Sequence, residues 1–185
     1  GVELLDTQEL QSGSILINVG SKKISFGLFK NLALVHSGTL LIGTDHITND
    51  ISKVCSLNFE ESLVIRNNID FSFKNNPNLF DENNFLKKNF FIDSKFRKIS
   101  KSLIFKVIKA RVDEIFEMIK KQLSLPGFDF NYGINIFLTG EGSNLTNIQK
   151  YCQHFYGLNA IVKRKDNLEK IFSACLGGVK IINEG

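Results

Sequence analysis

The stretch SILINVGSKKISFGLF, Ser14–Phe29, reads as two strands joined by a four-residue turn. Ser14–Val19 and Ile24–Lys30 are apolar or alternating runs of strand length, and Gly20-Ser21-Lys22-Lys23 separates them. A turn of this kind handles phosphate when glycines let backbone N–H groups approach the anion closely. Here it holds one glycine, one hydroxyl and two ammonium groups. Lysines attract phosphate as point charges, but they do not reproduce a close-packed nest of amides. The residues alone leave two readings open, a phosphate-handling loop or a bare hairpin with solvated lysines.

Outward from the hairpin, Asn31-Leu32 makes a tight turn into a third run, Ala33–Ile42, so residues 14–42 form a three-stranded meander. Gly43 ends it, and Thr44 or Asp45 caps a helix with Ile47, Ile51 and Val54 on one face. A second helix starts near Asn58, with Phe59-Glu60-Glu61 in its first turn, where acids suit the dipole. Residues 67–99, rich in Asn, Phe and Lys and holding Pro77, read as two short strands around a long loop. From Ile99 to Leu125 the pattern is helical: Ile104, Ile108, Val112, Ile115, Ile119 and Leu123 recur every three to four residues until Pro126-Gly127. Ile134–Leu138 is a buried strand, Gly140-Glu141-Gly142-Ser143 opens a helix from Asn144 to about Phe155, and Asn159–Lys163 is a strand. A last helix carries Leu168, Ile171, Phe172, Cys175, Leu176, Val179 and Ile182, with Gly177-Gly178 inside it. The order is that of an α/β chain with an insertion.

The 43% hydrophobic and 23% charged content over 185 residues is that of a globular protein with room for one domain or two small lobes. No apolar run approaches the ~20 residues a spanning helix needs. Residues 1–12 are acidic and polar, unlike a signal peptide, and the opening Gly1 marks a piece of a longer chain. Cys55, Cys152 and Cys175 show no CxxC spacing and read as small buried hydrophobes of a reducing compartment. His36, His46 and His154 share no metal-ligand spacing. The net charge of +4 divides into +7 between Leu86 and Lys121 and −3 over the rest. A basic patch suits nucleic acid, anionic lipid or an acidic peptide. With no aromatic interleaving that suggests a base-stacking surface, we read no nucleic-acid partner.

The element order and its loops resemble the second half of the actin/Hsp70/sugar-kinase superfamily, whose ribonuclease-H-like lobe carries an inserted α/β subdomain. Within it the details are similar to FtsA, the bacterial cell-division family that links FtsZ filaments to the membrane. GTDHITNDI (Gly43–Ile51) resembles that family's strand-to-helix junction, and LNFEES (Leu57–Ser62) the helix start after it. KARVDEIFEMIKKQL (Lys109–Leu123) resembles its Arg-Val-Glu-Glu-Ile-Phe helix. IFLTGEGSNLTNI (Ile136–Ile148) is similar to the adenosine turn, and IFSACLGGVKI (Ile171–Ile181) to the closing helix.

The resemblance implies subdomain 2A over residues 1–43 and 127–185, with subdomain 2B, residues 44–126, inserted. It implies an ATP site, with Mg²⁺, formed by Asn18, Gly20, Ser21, Lys22, Glu61, Gly140, Glu141, Gly142 and Ser143. That site is degenerate, because the family's metal-holding aspartate is Asn18, two phosphate-loop positions are Ser21 and Lys22, and the lysine three residues after Glu61 is Val64. Glu141 replaces a glycine. ATP is thus a cofactor retained weakly or lost, and no competent hydrolysis is expected. The resemblance also implies that the FtsZ C-terminal tail docks on Arg97 and Arg111, and that the protein polymerises as actin does. It implies a cytoplasmic location at the division site, peripheral on the membrane through an amphipathic helix outside this chain. A PilM-type pilus-assembly scaffold and an active ATPase of the same superfamily remain as alternatives.

Overall fold

In the computed structural model, residues 13–31, 33–129, 133–157 and 160–164 are described. Five strands, β1 (Ser14–Val19), β2 (Ile24–Lys30), β3 (Ala33–Leu40), β4 (Ile134–Thr139) and β5 (Ala160–Arg164), form one sheet in the order β3-β2-β1-β4-β5. The meander β1–β2–β3 is antiparallel, whereas β4 lies parallel to both β1 and β5. Period-2 alternation puts Ile15, Ile17, Ile24, Phe26, Ile136 and Leu138 into one core with the helices. Leu16 and Phe137 are buried on the opposite face, which explains the continuous apolar runs of the central strands.

The connection from β3 to β4 carries α1 (Thr44–Cys55), α2 (Phe59–Asn68) and α3 (Lys101–Ser124); α4 (Ile148–Tyr156) joins β4 to β5. Helix α3 buries Ile104, Ile108, Val112, Ile115, Phe116, Ile119 and Leu123, the stripe its spacing demands, and Ser100 caps it by accepting the Leu103 N–H at 3.2 Å. Asn58 caps α2 in a reciprocal box with Glu61: the Glu61 N–H donates to Asn58 Oδ1 at 2.8 Å and the Asn58 N–H to Glu61 Oε2 at 3.0 Å.

Three expectations change. The cap of α1 is Gly43, not Thr44 or Asp45, because His46 Nδ1 accepts the Gly43 N–H at 3.0 Å and Thr44 is already the first helical residue. The segment 67–99 forms the isolated bridges Asp70↔Thr146, Phe80↔Leu86 and Phe85↔Ser100 and a 3₁₀ turn at Lys88–Phe90, rather than two strands. The helix expected from Asn144 is split into a 3₁₀ turn, Glu141–Asn144, and α4, with Asn147 between them in the left-handed region at φ 62°. The expected last helix over Leu168–Ile182 lies outside the described residues.

Candidate functional site

The hairpin turn is folded onto the start of α1. The Gly20 N–H donates to Lys23 O at 3.1 Å, closing the turn. The Gly20 and Ser21 carbonyls accept the N–H groups of Thr44 and Asp45 at 3.1 and 2.9 Å. These are among the amides a helix start leaves unpaired, so here the chain itself satisfies them. Gly43 is required by the same contact, because a Cβ there would overlap the Gly20 and Ser21 carbonyls. Lys22 and Lys23 are exposed.

The turn after β4 packs on the end of β1. Gly140, at φ 84° and ψ 176°, occupies a region that is essentially glycine-only, and a Cβ would strike Asn18 Oδ1 and the Val19 backbone. A Cβ on Gly142 would strike the Val19 side chain and Thr44 Cγ2. Ser143 is buried and its hydroxyl donates to Gly140 O at 2.6 Å. The structure therefore brings Asn18, Gly20, Ser21, Gly140, Glu141, Gly142 and Ser143 to one end of the sheet. The space between Gly140 and Gly142 and β1 is filled by Asn18 and Val19 themselves.

Arg66, which sequence reasoning passed over, completes this cluster. It is 2% exposed on α2. Its Nη1 donates to Thr48 Oγ1 at 3.0 Å and lies 3.6 Å from Asp45 Oδ1; its Nη2 reaches Glu141 Oε1 at 3.2 Å and Asn67 Oδ1 at 3.1 Å. Val64, where a cation was sought, is exposed. The cation stands two residues later, on the buried side of the helix. Thr44, Arg66, Asn67, Glu141, Gly142, Asn144 and Leu145 line a cavity of about 290 Å³. Thr44 Oγ1 is buried and has no hydrogen-bond partner among the described residues. Two carboxylates flank one guanidinium here, so the surroundings do not attract an anion.

Glu61 is not part of that cluster. It is 1% exposed, and Oε1 accepts the N–H groups of Ile92, Asp93 and Ser94 at 2.7, 2.8 and 2.9 Å, while Oε2 accepts the Ser94 hydroxyl as well as the Asn58 N–H. Burial alone would raise its pKa, but the bonds from the Ser94 hydroxyl and the backbone amides outweigh it and hold the carboxyl down to about 2. Its role is to pin the loop before α3, and it has no oxygen left for a ligand.

The two arginines assigned to a partner differ. Arg111 forms a two-point pair with Asp50, Nε to Oδ2 at 2.6 Å and Nη2 to Oδ1 at 3.0 Å, and its Nη1 reaches Glu114 at 2.8 Å. It ties α3 to α1. Arg97 is exposed in the loop held by Glu61. In the segment before α3, Lys88 Nζ lies 6.0 Å from the Phe96 centroid and Lys98 Nζ 5.5 Å from that of Phe85.

The family model for "Cell division protein FtsA" matches residues 15–177. The chain belongs to the FtsA family. Its curated FtsA relatives include those of Rhizobium meliloti (strain 1021), 23% identical over 96% of this chain and 40% of the relative, and Porphyromonas gingivalis, 28% identical over 78% of this chain and 29% of the relative. The chain thus spans 40% or less of the length of these two FtsA proteins. Among solved structures, MreB 5 of Spiroplasma citri bound to AMPPNP superposes with a TM-score of 0.58 at 18% identity, covering 97% of this chain and 55% of that one. The PilM-PilN type IV pilus biogenesis complex gives 0.57 at 11% identity, covering 89% of this chain and 40% of that one. The fold is actin-like, as expected for FtsA.

For this FtsA chain the cluster at the end of the sheet contributes an amide at Asn18 and an ion-paired Glu141. Among the described residues no group of three His, Cys, Asp or Glu side chains is placed to hold a metal. Nor is any described helix long and apolar enough to cross a membrane.

Proposed function

We propose that this chain is the 2A/2B half of an FtsA-type scaffold, with 2A at residues 1–43 and 127–185 and 2B at 44–126. The intact protein joins FtsZ filaments to the membrane, self-associates as actin does, and carries an ATP site that no longer hydrolyses. It sits at the division site on the cytoplasmic face, held by a segment outside this chain.

The observation that supports the loss of hydrolysis is Asn18 at the end of β1, whose Oδ1 lies where a Cβ on Gly140 would be. A carboxylate at that place attracts Mg²⁺ and orients water beside a γ-phosphate, and an amide does neither well. The base side keeps a cavity lined by Thr44, Arg66 and Asn67, whose size falls near the lower end for small-ligand sites. Where a nucleotide is held, its uncharged nucleoside part is held by that end.

The test is Mg²⁺-dependent phosphate release from ATP by the full-length protein, beside the Asn18→Asp variant. No turnover is expected from either, since Gly20-Ser21-Lys22-Lys23 stands in place of a glycine nest. Robust turnover by the unaltered protein sinks the reading. For the partner, binding of an FtsZ tail peptide is the direct measurement.

A further inference from the structure

A guanidinium carries five N–H groups, and on Arg66 each of them has a partner. Nε donates to Asn67 Oδ1 at 3.3 Å, and Nη2 donates to the same oxygen at 3.1 Å and to Glu141 Oε1 at 3.2 Å. Nη1 donates to Thr48 Oγ1 at 3.0 Å and faces Asp45 Oδ1 at 3.6 Å. The two carboxylate partners differ in their surroundings. The Asp45 side chain is 27% exposed and that of Glu141 59%, so Glu141 is the one that can change without opening the core.

Arg66 is also the only cation among the described residues that line the 290 Å³ cavity. What else the cavity offers is uncharged. Thr44 presents a buried hydroxyl with no partner among the described residues. Thr44, Gly142 and Leu145 also border a small apolar void of about 30 Å³, so the inner wall is apolar. A free hydroxyl beside an apolar wall suits a ring with a hydrogen-bonding edge. A phosphate finds the opposite. One guanidinium against two carboxylates leaves the local charge negative by one, and no guanidinium N–H is left over. Glu141 lines the cavity itself, so a phosphate carried by a ligand there stays within a Debye length of that carboxylate.

We propose, on the nucleoside reading above, that Glu141 is the specificity-determining residue of this cavity. By occupying Arg66 it keeps the guanidinium from phosphate, so the cavity takes an uncharged nucleoside and disfavours its phosphorylated form. The effect is one of charge and not of shape. Glu141→Gln keeps the size of the side chain and removes its charge, and Glu141→Lys reverses that charge at an exposed position.

The test uses the full-length protein, titrated in a calorimeter with adenosine and with ADP, without added divalent cation, at two salt concentrations. The parent is expected to bind adenosine at least as tightly as ADP. Glu141→Gln should tighten ADP at least about threefold and Glu141→Lys about tenfold, with adenosine within about twofold of the parent in both. Both gains should shrink as salt rises. Adding Arg66→Met to Glu141→Gln should return ADP to its parental affinity. Where that double variant does not fold, the adenosine arm and the salt series carry the test. ADP unchanged in both Glu141 variants, with adenosine bound, overturns the role of Glu141 and leaves the nucleoside reading standing. An equal gain for adenosine and ADP also overturns it, because Glu141 would then be filling space. So does a parent that binds ADP about tenfold or more tightly than adenosine. No binding of adenosine or ADP by the parent or the variants overturns both readings.

Discussion

The hairpin at Gly20–Lys23 and the loop at Ile92–Ser94 are both fixed by main-chain hydrogen bonds, but the bonds run in opposite senses. In the hairpin the carbonyls of Gly20 and Ser21 accept from the start of α1. In the loop three consecutive amides donate to a carboxylate. A nest of backbone N–H groups that receives an anion is the usual device for phosphate. This protein builds one, and its anion is its own Glu61. A nest of amides thus stands away from the hairpin, where no phosphate-loop motif marks it.

The strongest way to break that comparison is to empty the nest. Glu61→Ala leaves three part-buried amides without their acceptor and should destabilise the fold by about 1–3 kcal/mol, read from the urea midpoint at unchanged slope. A loss below about 1 kcal/mol would mean that the loop amides find water instead. The cleft side is challenged next by Gly140→Ala, which puts a side chain at φ 84° and against Asn18. It should cost about 1–3 kcal/mol from the backbone conformation alone, and more where the methyl group meets Asn18 Oδ1.

Acid titration sharpens the same contrast. Glu61 has a folded pKa of about 2 against an ordinary 4.5, so its contribution is complete above about pH 4.5 and fades as pH falls toward 2. Protection of the Ile92, Asp93 and Ser94 amides, corrected for the intrinsic slowing of exchange in acid, should therefore be steady down to that point and decline below it. The Gly20–Lys23 hairpin rests on neutral carbonyls, so its own bonds hold no such step. The smallest effect is the coupling of Arg66 with Glu141. A double-mutant cycle with Arg66→Met and Glu141→Gln should give about 1 kcal/mol or less, since the Glu141 side chain is 59% exposed.

The elements legible in the sequence are those whose hydrophobic period is long or clean. The α3 stripe, the meander and the Asn58 start of α2 all read directly, because periodicity and caps are local. The segment 67–99 did not. Its order comes from Glu61, which lies about thirty residues before the amides it binds, and no local pattern announces that bond. The site residues divide the same way. Gly140 and Gly142 were identifiable as glycines that something approaches closely, but the approaching atoms belong to Asn18 and Val19. Arg66 escaped because its partners, Thr48 and Glu141, are 18 and 75 residues away. Helical spacing could have found it: Ser62, Ile65, Arg66 and Ile69 share the buried side of α2, and Val64 does not.

Arg66 also joins two parts of the chain that meet nowhere else in sequence. Its pair with Glu141 lies on the same seam as the Phe71 N–H on Thr146 O at 2.9 Å and the Asn147 amide on Asp70 Oδ1 at 2.8 Å. The seam between α2 and the turn after β4 is therefore stitched at three points by groups the protein supplies itself. Widening this seam means undoing all three of these bonds together.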